Sequence, residues 1–364
     1  MPGGFELNSE VLKSSNCTLC GLCLDWCPYI KNLEDHLVIP FECNKSDGRC
    51  YAVCPRTMTD WEQIRQANFE EKSIGIEVGP ILEVFKVKRK IGLKDQQNGG
   101  TVTTLIESAI RSKPETAAIL TGNSEGAIPL PTLVREIETV AKMAGSRFLA
   151  SPSLRKVVEA SQKGIQRLVV VGRPCQIQGI RKAQYNYPEF FPGEIITIGL
   201  FCMWSLNWDF RNYGQENYPG TTINSIDIPQ HGVEIHTDQG VICIPNEKVR
   251  DFIRPACNYC LDMTSEWADI SVGAFEVDPA WNTVIVRTQA GKELLDLASE
   301  AELLLEDFPD EELARLKKAS FNKKRRNLKN LQSAVDNQGL KPFIDLSQSP
   351  YVEILSSQEV EVDV

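Results

Sequence analysis

The hydrophobic and polar positions of the chain change their period several times after about residue 76. Short β-branched runs that are typical of buried strands alternate with stretches whose apolar residues recur every three to four positions, as in amphipathic helices. The runs predict strands at 117–121, 167–171 and 194–201, and the periodic stretches predict helices at 102–111, 132–142, 154–162 and 176–184. Strands that alternate with helices in this way indicate an α/β sheet.

Farther along the chain the pattern becomes that of a hairpin. Asp238-Gln-Gly240 is a turn sequence between two alternating runs, Val233–His236 and Val241–Ile244, so a β-rich insertion is expected between about 222 and 245. Two more strands are predicted at 269–272 and 283–287, and charged helices are predicted at 291–298 and 310–333.

The first 60 or so residues have a different character. They lack helical periodicity, contain seven of the twelve cysteines and include Pro28 and Pro55. We expect a small domain here in which metal clusters replace a hydrophobic core. The chain is therefore divided into a domain at 1–72, a larger domain at 73–335, and a tail at 336–364 that either binds a partner or frays.

Composition narrows the class of protein. The 364 residues carry a formal net charge of −10, which argues against nucleic acid as a partner. The first residues lack the features of an export signal, so we expect a cytoplasmic protein, in which twelve cysteines indicate metal ligation rather than disulfides. The longest apolar run, 195–204, is far shorter than the ~20 residues that span a bilayer, so no membrane span is expected.

The first cysteine motif consists of Cys17, Cys20, Cys23 and Cys27, followed by Pro28. In the spacing C-x2-C-x2-C-x3-C-P, three thiolates bind one 4Fe-4S cluster and the fourth reaches a second cluster. Zinc is the alternative, but zinc usually takes its ligands in two pairs. The spacing therefore predicts two iron–sulfur clusters.

The second motif is Cys43-x6-Cys50-x3-Cys54-Pro55. By the same crossing-over, Cys54 should complete the first cluster, and Cys27 should join Cys43 and Cys50 on the second. That second cluster lacks a fourth cysteine within the motif. Three explanations stay open, namely an oxygen ligand from Ser46 or Asp47, a 3Fe-4S cluster, or a cysteine from elsewhere in the chain.

Four further cysteines follow strands or turns of the α/β part, and they are Cys175, Cys202, Cys257 and Cys260. A C-x2-C pair with two single cysteines at adjacent strand ends can hold a third cluster. The alternative is that these are free cysteines packed in the core. Cys243, inside the predicted hairpin, is assigned to packing.

The segment Gln97-Asn-Gly-Gly-Thr101 directly precedes the helix predicted at 102–111. Its backbone amides and the helix N-terminus can bind a pyrophosphate, with hydroxyl groups of Thr101, Thr103 and Thr104 adding hydrogen bonds. A plain turn is the alternative, because the G-x-G-x-x-G run of dinucleotide-binding proteins is absent.

Taken together, these motifs resemble those of the coenzyme F420 hydrogenase/dehydrogenase beta-subunit family. Members of that family bind FAD, a 4Fe-4S cluster and the deazaflavin coenzyme F420. The N-terminal domain resembles the fused ferredoxin module of longer members. The resemblance extends over about residues 75 to 300 and rests on Gln97-Asn-Gly-Gly-Thr-Val-Thr, Val171-Gly-Arg-Pro-Cys-Gln, Gly199-Leu-Phe-Cys, and Cys257-x2-Cys260-Leu-Asp with Ala268-Asp-Ile-Ser-Val-Gly273.

The resemblance implies an α/β (α+β) flavin-binding domain with a β-rich insertion, preceded by a small two-cluster ferredoxin-like domain. It also assigns residues, motif by motif. The ligands of the third 4Fe-4S cluster would be Cys175, Cys202, Cys257 and Cys260. The FAD site would include Asn98, Gly99, Gly100, Thr101 and Thr103, and a cofactor would also contact Arg173.

The implied function is that of an F420-dependent oxidoreductase subunit. FAD would exchange hydride with F420 and single electrons with the clusters. The clusters would serve a catalytic partner such as a hydrogenase, formate dehydrogenase, carbon monoxide dehydrogenase or membrane oxidoreductase. Two alternatives stay open: a ferredoxin-dependent reductase of a small molecule such as a chlorophyll derivative, and a pure electron relay without an F420 site.

Several charged residues are candidates for binding the anionic tail of F420 or a partner. The candidates for binding the phosphate and glutamates of that tail are three cations just before Cys257, namely Lys248, Arg250 and Arg254. The alternative is that these cations form an exposed basic stretch. A basic run on the helix predicted at 310–333 is expected to be a solvated face or a docking surface, and it comprises Lys317, Lys318, Lys323, Lys324, Arg325, Arg326 and Lys329. The surface or the hairpin is expected to hold His36, His231 and His236.

Overall fold

A computed structural model describes residues 2–70, 74–92, 98–123, 128–228 and 232–357. Within these ranges, no helix has the length and apolar character that crossing a membrane requires. Gln97 and His231 lie outside the described residues.

The helices, in chain order, are α1 (Gly4–Leu7), α2 (Arg49–Ala52), α3 (Trp61–Asn68), α4 (Thr101–Ser112), α5 (Ile137–Lys142), α6 (Arg155–Gln162), α7 (Pro174–Asn186), α8 (Asp209–Asn217), α9 (Asn246–Val249), α10 (Gln289–Ala301), α11 (Asp310–Gln338) and α12 (Ser349–Ser356). The strands are β1 (Lys31–Leu33), β2 (His36–Val38), β3 (Ile74–Gly75), β4 (Gly79–Pro80), β5 (Glu83–Arg89), β6 (Thr116–Asn123), β7 (Pro129–Val134), β8 (Arg167–Gly172), β9 (Glu194–Leu200), β10 (Ile223–Asp227), β11 (Gly232–Thr237), β12 (Gly240–Pro245), β13 (Ile270–Ala274), β14 (Asn282–Val286) and β15 (Leu303–Asp307).

A mixed eight-stranded sheet forms the centre of the larger part, in the order β15-β5-β14-β13-β9-β8-β6-β7. Its middle strands β13, β9, β8 and β6 are parallel, and antiparallel strands extend it on both sides. The predicted α/β sheet is therefore confirmed as a mixed sheet. The carboxyl ends of β8 and β9 lie side by side, which brings the residues after them together.

Two hydrophobic layers bury the faces of this sheet. On one face, Leu105 and Ile106 of α4 and Leu294 of α10 pack against strand residues such as Val284. On the other face, α6 and α7 pack against β6 and β8, and Leu22 and Val53 of the N-terminal region belong to the same cluster. The cysteine-rich region is therefore packed directly against the α/β part.

The helix predicted at 132–142 is wrong over its first part. Residues Pro129–Val134 form β7, and helix α5 begins only at Ile137. The strand carries Pro129 and Pro131, which are tolerated because β7 is at the edge of the sheet. Strands β5 and β15 were not predicted, because β5 alternates apolar residues with Lys86 and Lys88 and β15 lies between two charged helices.

The β-rich insertion is confirmed as the three-stranded antiparallel sheet β10-β11-β12. Its hairpin turns at Asp238 and Gln239, inside the predicted turn sequence, with Thr237 opposite Gly240. The packing role expected for Cys243 is wrong, since its side chain is exposed on β12. His36 is exposed and His236 is half-buried on β11, as expected of surface and hairpin residues.

Much of the tail packs onto the rest of the chain. Leu340, Phe343 and Ile354 are buried in one cluster with Trp61 of α3 and Leu328 of α11. The Phe343 ring also stacks under the guanidinium of Arg56, 4.5 Å from its centroid. Residues 336–357 thus join α11 to the N-terminal region, while 358–364 lie outside the described residues.

Candidate redox site

The four cysteines of the α/β part converge at the carboxyl end of β8 and β9. Cys175 lies in the first turn of α7 directly after β8, and Cys202 follows β9. Cys257 and Cys260 belong to a 3-10 turn and its end, and the Cys202 amide donates to the Met263 carbonyl at 2.8 Å. We refer to these four residues as the core cysteine group.

Helix α11 reaches this group with a buried lysine. The Lys323 ammonium donates to the main-chain oxygens of Cys202 at 2.6 Å and Asp262 at 2.8 Å, and it lies 3.9 Å from Cys260 Sγ. Asn327, one turn later, donates to the carbonyl oxygens of Cys257 and Cys260 at 3.0 and 2.8 Å. The prediction of a solvated face or docking surface is therefore wrong for Lys323, Lys324 and Arg325, because these three side chains are buried.

An ionic network lies behind the core cysteine group. Lys324 Nζ pairs with Glu266 at 2.7 Å, and the Asp262 carboxylate accepts from the Glu266 amide at 3.0 and 3.1 Å. Arg287 is buried and donates to the carbonyl oxygens of Val78 and Thr264 at 2.8 and 3.0 Å. Burial raises the pKa of Glu266 to about 7, and Lys324 partly offsets that rise.

The first cysteine motif surrounds a small apolar cavity. Cys17, Cys20, Cys23 and Cys54 all line it, together with apolar side chains from the N-terminal helical turns. Leu19 has a φ of 55°, which is strained for a bulky residue and directs its amide to Cys17 Sγ at 3.4 Å. Cys54 is thus placed with the three cysteines that the crossing-over pattern assigns to the first cluster.

The other three N-terminal cysteines form a separate group. Burial is the main cause that raises the pKa of Cys50 to about 11, and the neighbouring Cys27 and Cys43 thiols add to it. Ser46 and Asp47, the candidate oxygen ligands, are exposed. The identity of a fourth ligand remains a prediction.

The three groups follow one another through the molecule. Burial is the main cause that raises the pKa of Cys17 and Cys20, and Cys175 is among the nearby thiols that add to the rise, so the core group adjoins the first N-terminal group. Cys23 of that first group has Cys50 among the neighbours that raise its pKa beyond the effect of burial. The order in space is therefore core group, first N-terminal group, second N-terminal group.

Buried cations of the α/β part bind the N-terminal region close to its cysteines. Lys182 of α7 donates to the carbonyl oxygens of Cys54 at 2.9 Å and Thr57 at 3.0 Å. Arg254 pairs with Asp35 at 2.9 Å and donates to the Cys17 carbonyl at 3.2 Å. Arg254 therefore contacts the N-terminal region inside the protein, and its assignment to an anionic cofactor tail stays a prediction.

The Gly-Gly segment lies where α4 begins, against β5 and β14. Gly100 is the N-cap with a φ of 73°, in the left-handed region that favours glycine. A Cβ on Gly99 would lie 2.7 Å from Asn282 Oδ1 and 2.9 Å from the Val87 oxygen. The Thr101 and Thr104 hydroxyls donate to the main-chain oxygens of Val87 and Gly100, and the amides of the same two residues donate to Asn282 Oδ1 and the Gly100 carbonyl. The first-turn amides that would bind a phosphate are therefore those of Val102 and Thr103.

Arg173 is the N-cap of α7, two residues before Cys175. Its Nη2 is buried without a hydrogen-bond partner among the described residues, and its charge lowers the pKa of Cys202, which burial raises to about 12. An unpartnered buried guanidinium nitrogen fits a site that receives an anionic or acceptor group.

The other predicted cations have different surroundings. Lys248 pairs with Asp251 at 3.0 Å and lies over the rings of Tyr213 and Phe252, and Arg250 is exposed. Sequence reasoning missed Lys86 and Lys88, whose ammonium groups lie 4.6 and 4.2 Å from the centroid of Trp281. Both lysines alternate along β5 with apolar residues, which is the signal that could have identified them.

The chemistry of the cysteine groups suits clusters. Across the described parts of the chain, no three His, Cys, Asp or Glu side chains are arranged to hold a single metal ion. The cysteine thiols lie in two groups of four and one group of three. Burial raises the pKa of Cys202 to about 12 and that of Cys54 to about 11. Such thiols stay protonated until a metal displaces the proton, and iron–sulfur clusters are held by thiolates of this kind.

Two family models match this chain. The model for the coenzyme F420 hydrogenase/dehydrogenase beta subunit N-terminus matches residues 84–157, and the model for its C terminus matches residues 165–312. Together they cover more than half of the chain and contain the Gly-Gly segment and the core cysteine group.

Two proteins of similar sequence have names that refer to coenzyme F420. Coenzyme F420 hydrogenase subunit beta of Methanothermobacter thermautotrophicus is 30% identical over 65% of this chain and 88% of its own length. Coenzyme F420-dependent sulfite reductase of Methanocaldococcus jannaschii is 28% identical over 88% of this chain, but this chain spans only 51% of that protein. That match is longer than the part of the chain after residue 83, so it extends into the region before the family models.

A solved structure has a similar fold. A chain from the F420-reducing NiFe hydrogenase complex of Methanosarcina barkeri, determined for xenon derivatization, superimposes with a TM-score of 0.67 and 25% identity. The superposition covers 75% of this chain and 98% of that one. The chain described here belongs to the coenzyme F420 hydrogenase/dehydrogenase beta-subunit family.

Proposed function

We propose that this protein is an electron-transfer subunit that exchanges hydride with coenzyme F420 and single electrons with a partner protein. The observation that carries the proposal is the series of three adjoining cysteine groups, which begins at the carboxyl end of β8 and β9 in the family-matched part. A bound FAD would supply the exchange between hydride and single electrons that F420 and iron–sulfur clusters require.

The residues of the α/β part would bind and orient the organic cofactors. The amides at the start of α4 would hold a phosphate group, and Gly99 lets that helix approach β14 closely. Arg173 would direct its unpartnered nitrogen to a cofactor next to the core cysteines. Lys88 would supply positive charge on the neighbouring strand for the anionic F420 tail, whereas Lys86 is already paired with Glu306 at 2.6 Å.

The cysteines would hold three clusters. The core group would bind a 4Fe-4S cluster through Cys175, Cys202, Cys257 and Cys260. The first N-terminal cluster would take Cys17, Cys20, Cys23 and Cys54, and the second would take Cys27, Cys43 and Cys50 with a fourth ligand or with three irons. Tight packing of the N-terminal region on α7 keeps the groups adjacent, which electron transfer between them requires.

The partner would be a protein with its own one-electron acceptor. The hydrogenase complex that contains the similar solved chain supports a hydrogenase as one possibility. The sulfite reductase supports a second candidate, in which this chain supplies electrons to a separate reductase, because that protein matches 88% of this chain with only half of its length. Formate dehydrogenase, carbon monoxide dehydrogenase and a membrane oxidoreductase remain expectations from the resemblance.

Anaerobic assay with F420 tests the proposal. Protein with a measured content of iron and flavin should oxidise reduced F420 when a viologen dye is the electron acceptor. A Cys257→Ser variant should keep its flavin but lose one cluster from the iron count. Protein that contains flavin and clusters but exchanges no hydride with F420 in either direction would contradict the proposal.

A further inference from the structure

Lys323 is a buried cation with an uncommon set of partners. Its exposed fraction is 1%, and its ammonium group contacts two carbonyl oxygens and the sulfur of Cys260. The next residue, Lys324, is also buried but has an ordinary carboxylate partner in Glu266. The two neighbouring lysines therefore differ in what balances their charge.

A buried ammonium group needs a negative counterpart, because its transfer from water costs several kcal/mol. The atoms that face Lys323 belong to Cys202, Cys260 and the carbonyl of Asp262. Of these atoms, the Cys260 sulfur, 3.9 Å from the ammonium nitrogen, is the one that takes a negative charge when a cysteine binds metal. The counterpart of this charge is the core cysteine group itself.

We propose that Lys323 raises the reduction potential of the cluster that the core cysteine group would hold. The inference rests on the proposed function, since it presupposes that cluster. Hydrogen bonds to cluster sulfurs and nearby positive charge stabilise the reduced form, which carries one more negative charge. Lys323 supplies both, with a donor directed at Cys260 Sγ and a charge that solvent cannot screen.

Comparison with Asn327 shows why the effect on the cluster potential is assigned to Lys323. Asn327 holds the same loop through the carbonyl oxygens of Cys257 and Cys260, but it is neutral and donates to no sulfur. The Ser205 amide lies 3.4 Å from Cys257 Sγ and contributes a second N–H to the group. Asn327 and Lys323 therefore both hold the loop through main-chain oxygens, but Lys323 also brings a full charge to a sulfur.

The test is a redox titration of the full-length protein under anaerobic conditions, followed by low-temperature electron paramagnetic resonance. The signal of the core cluster is first identified as the one that Cys257→Ser removes. Lys323→Met and Lys323→Gln should both shift the potential of that signal to more negative values while keeping the iron content. Lys324→Met, which removes a neighbouring buried lysine, and Lys329→Met, which removes an exposed one, should leave it unchanged.

Three results would overturn the inference: an unchanged potential in both Lys323 variants, an equal shift in Lys324→Met, or loss of the core cluster from both Lys323 variants. The last would mean that Lys323 is needed only for assembly of the group. Failure of the proposed function has a different signature, since Cys257→Ser would then leave the iron content and every signal of the parent protein unchanged.

Discussion

Three buried cations share one arrangement at the residue scale. Lys182, Arg254 and Lys323 each donate to the main-chain oxygen of a cysteine, namely Cys54, Cys17 and Cys202. Each cation thereby fixes a cysteine-bearing segment and also brings positive charge to a group of thiolates. Burial lowers the pKa of Lys182 to about 8, although the charge of Cys54 raises it.

Arg254 gives a stability prediction with a matched control. Arg254→Ala would remove the buried arginine from Asp35, which would keep only the His36 ring and the Trp208 amide, and such a loss costs roughly 3 kcal/mol of unfolding free energy. Arg155→Ala removes a similar link between the N-terminal region and the core, the pair with Asp25, but that pair is exposed and should contribute at most about 1 kcal/mol. Denaturant unfolding of the metal-loaded proteins measures both, and equal losses would contradict the assignment.

Glu266 gives a pH prediction. Burial raises the pKa of Glu266 from 4.5 to about 7, so the folded protein binds this proton more tightly than the unfolded chain. The free energy of unfolding should therefore fall as the pH rises from about 4.5 to about 7. Glu266→Gln cannot release that proton, so its stability should fall less over the same window. Parallel stability curves for the two proteins would show that Glu266 does not titrate there.

At the scale of elements, α7 connects the cysteine groups. Its first turn carries Cys175, its middle carries Lys182, and Asn186 at its end donates to the Ala52 carbonyl of α2 at 2.7 Å. One helix therefore sets the position of the core group relative to the first N-terminal group.

The start of α4 gives a prediction about flavin. Gly100→Ala should lower the stability by about 1 to 2 kcal/mol, because alanine disfavours a φ of 73°, and should also reduce the flavin content. Gly164→Ala is the control, since Gly164 has a φ of 67°, has open space around its Cα and ends α6 away from the Gly-Gly segment. Equal stability losses with flavin reduced only in Gly100→Ala are expected. Full flavin content in Gly100→Ala would exclude this segment from the cofactor site.

At the scale of the whole molecule, the N-terminal region, the α/β part and the tail pack against one another. The N-terminal region shares a hydrophobic cluster with α7, and the tail shares another with α3 and α11. Arg56 joins all three parts, since it stacks on Phe343 and donates to the Ala256 carbonyl next to Cys257. The cysteine groups are therefore held at fixed separations within one chain.

The sequence was sufficient for features that local spacing encodes. The tight motif around Cys17 predicted its grouping with Cys54, and the alternating runs predicted β6, β8, β9 and the hairpin. Features that depend on contacts between distant segments were not predictable. From the sequence, Lys323 and Arg254 were interpreted as parts of basic stretches, because nothing near them in the sequence reveals Cys202 or Asp35 as their partners.

The order of the three cysteine groups is the central claim, and stopped-flow reduction by F420 tests it most directly. Reduced F420 is mixed anaerobically with the parent protein, Cys257→Ser and Cys50→Ser, while flavin absorbance and the cluster resonance signals are followed. In Cys257→Ser the flavin should be reduced but the N-terminal clusters should stay oxidised, whereas in Cys50→Ser the core and first N-terminal clusters should still be reduced. Reduction of the N-terminal clusters at the parent rate in Cys257→Ser would contradict the order.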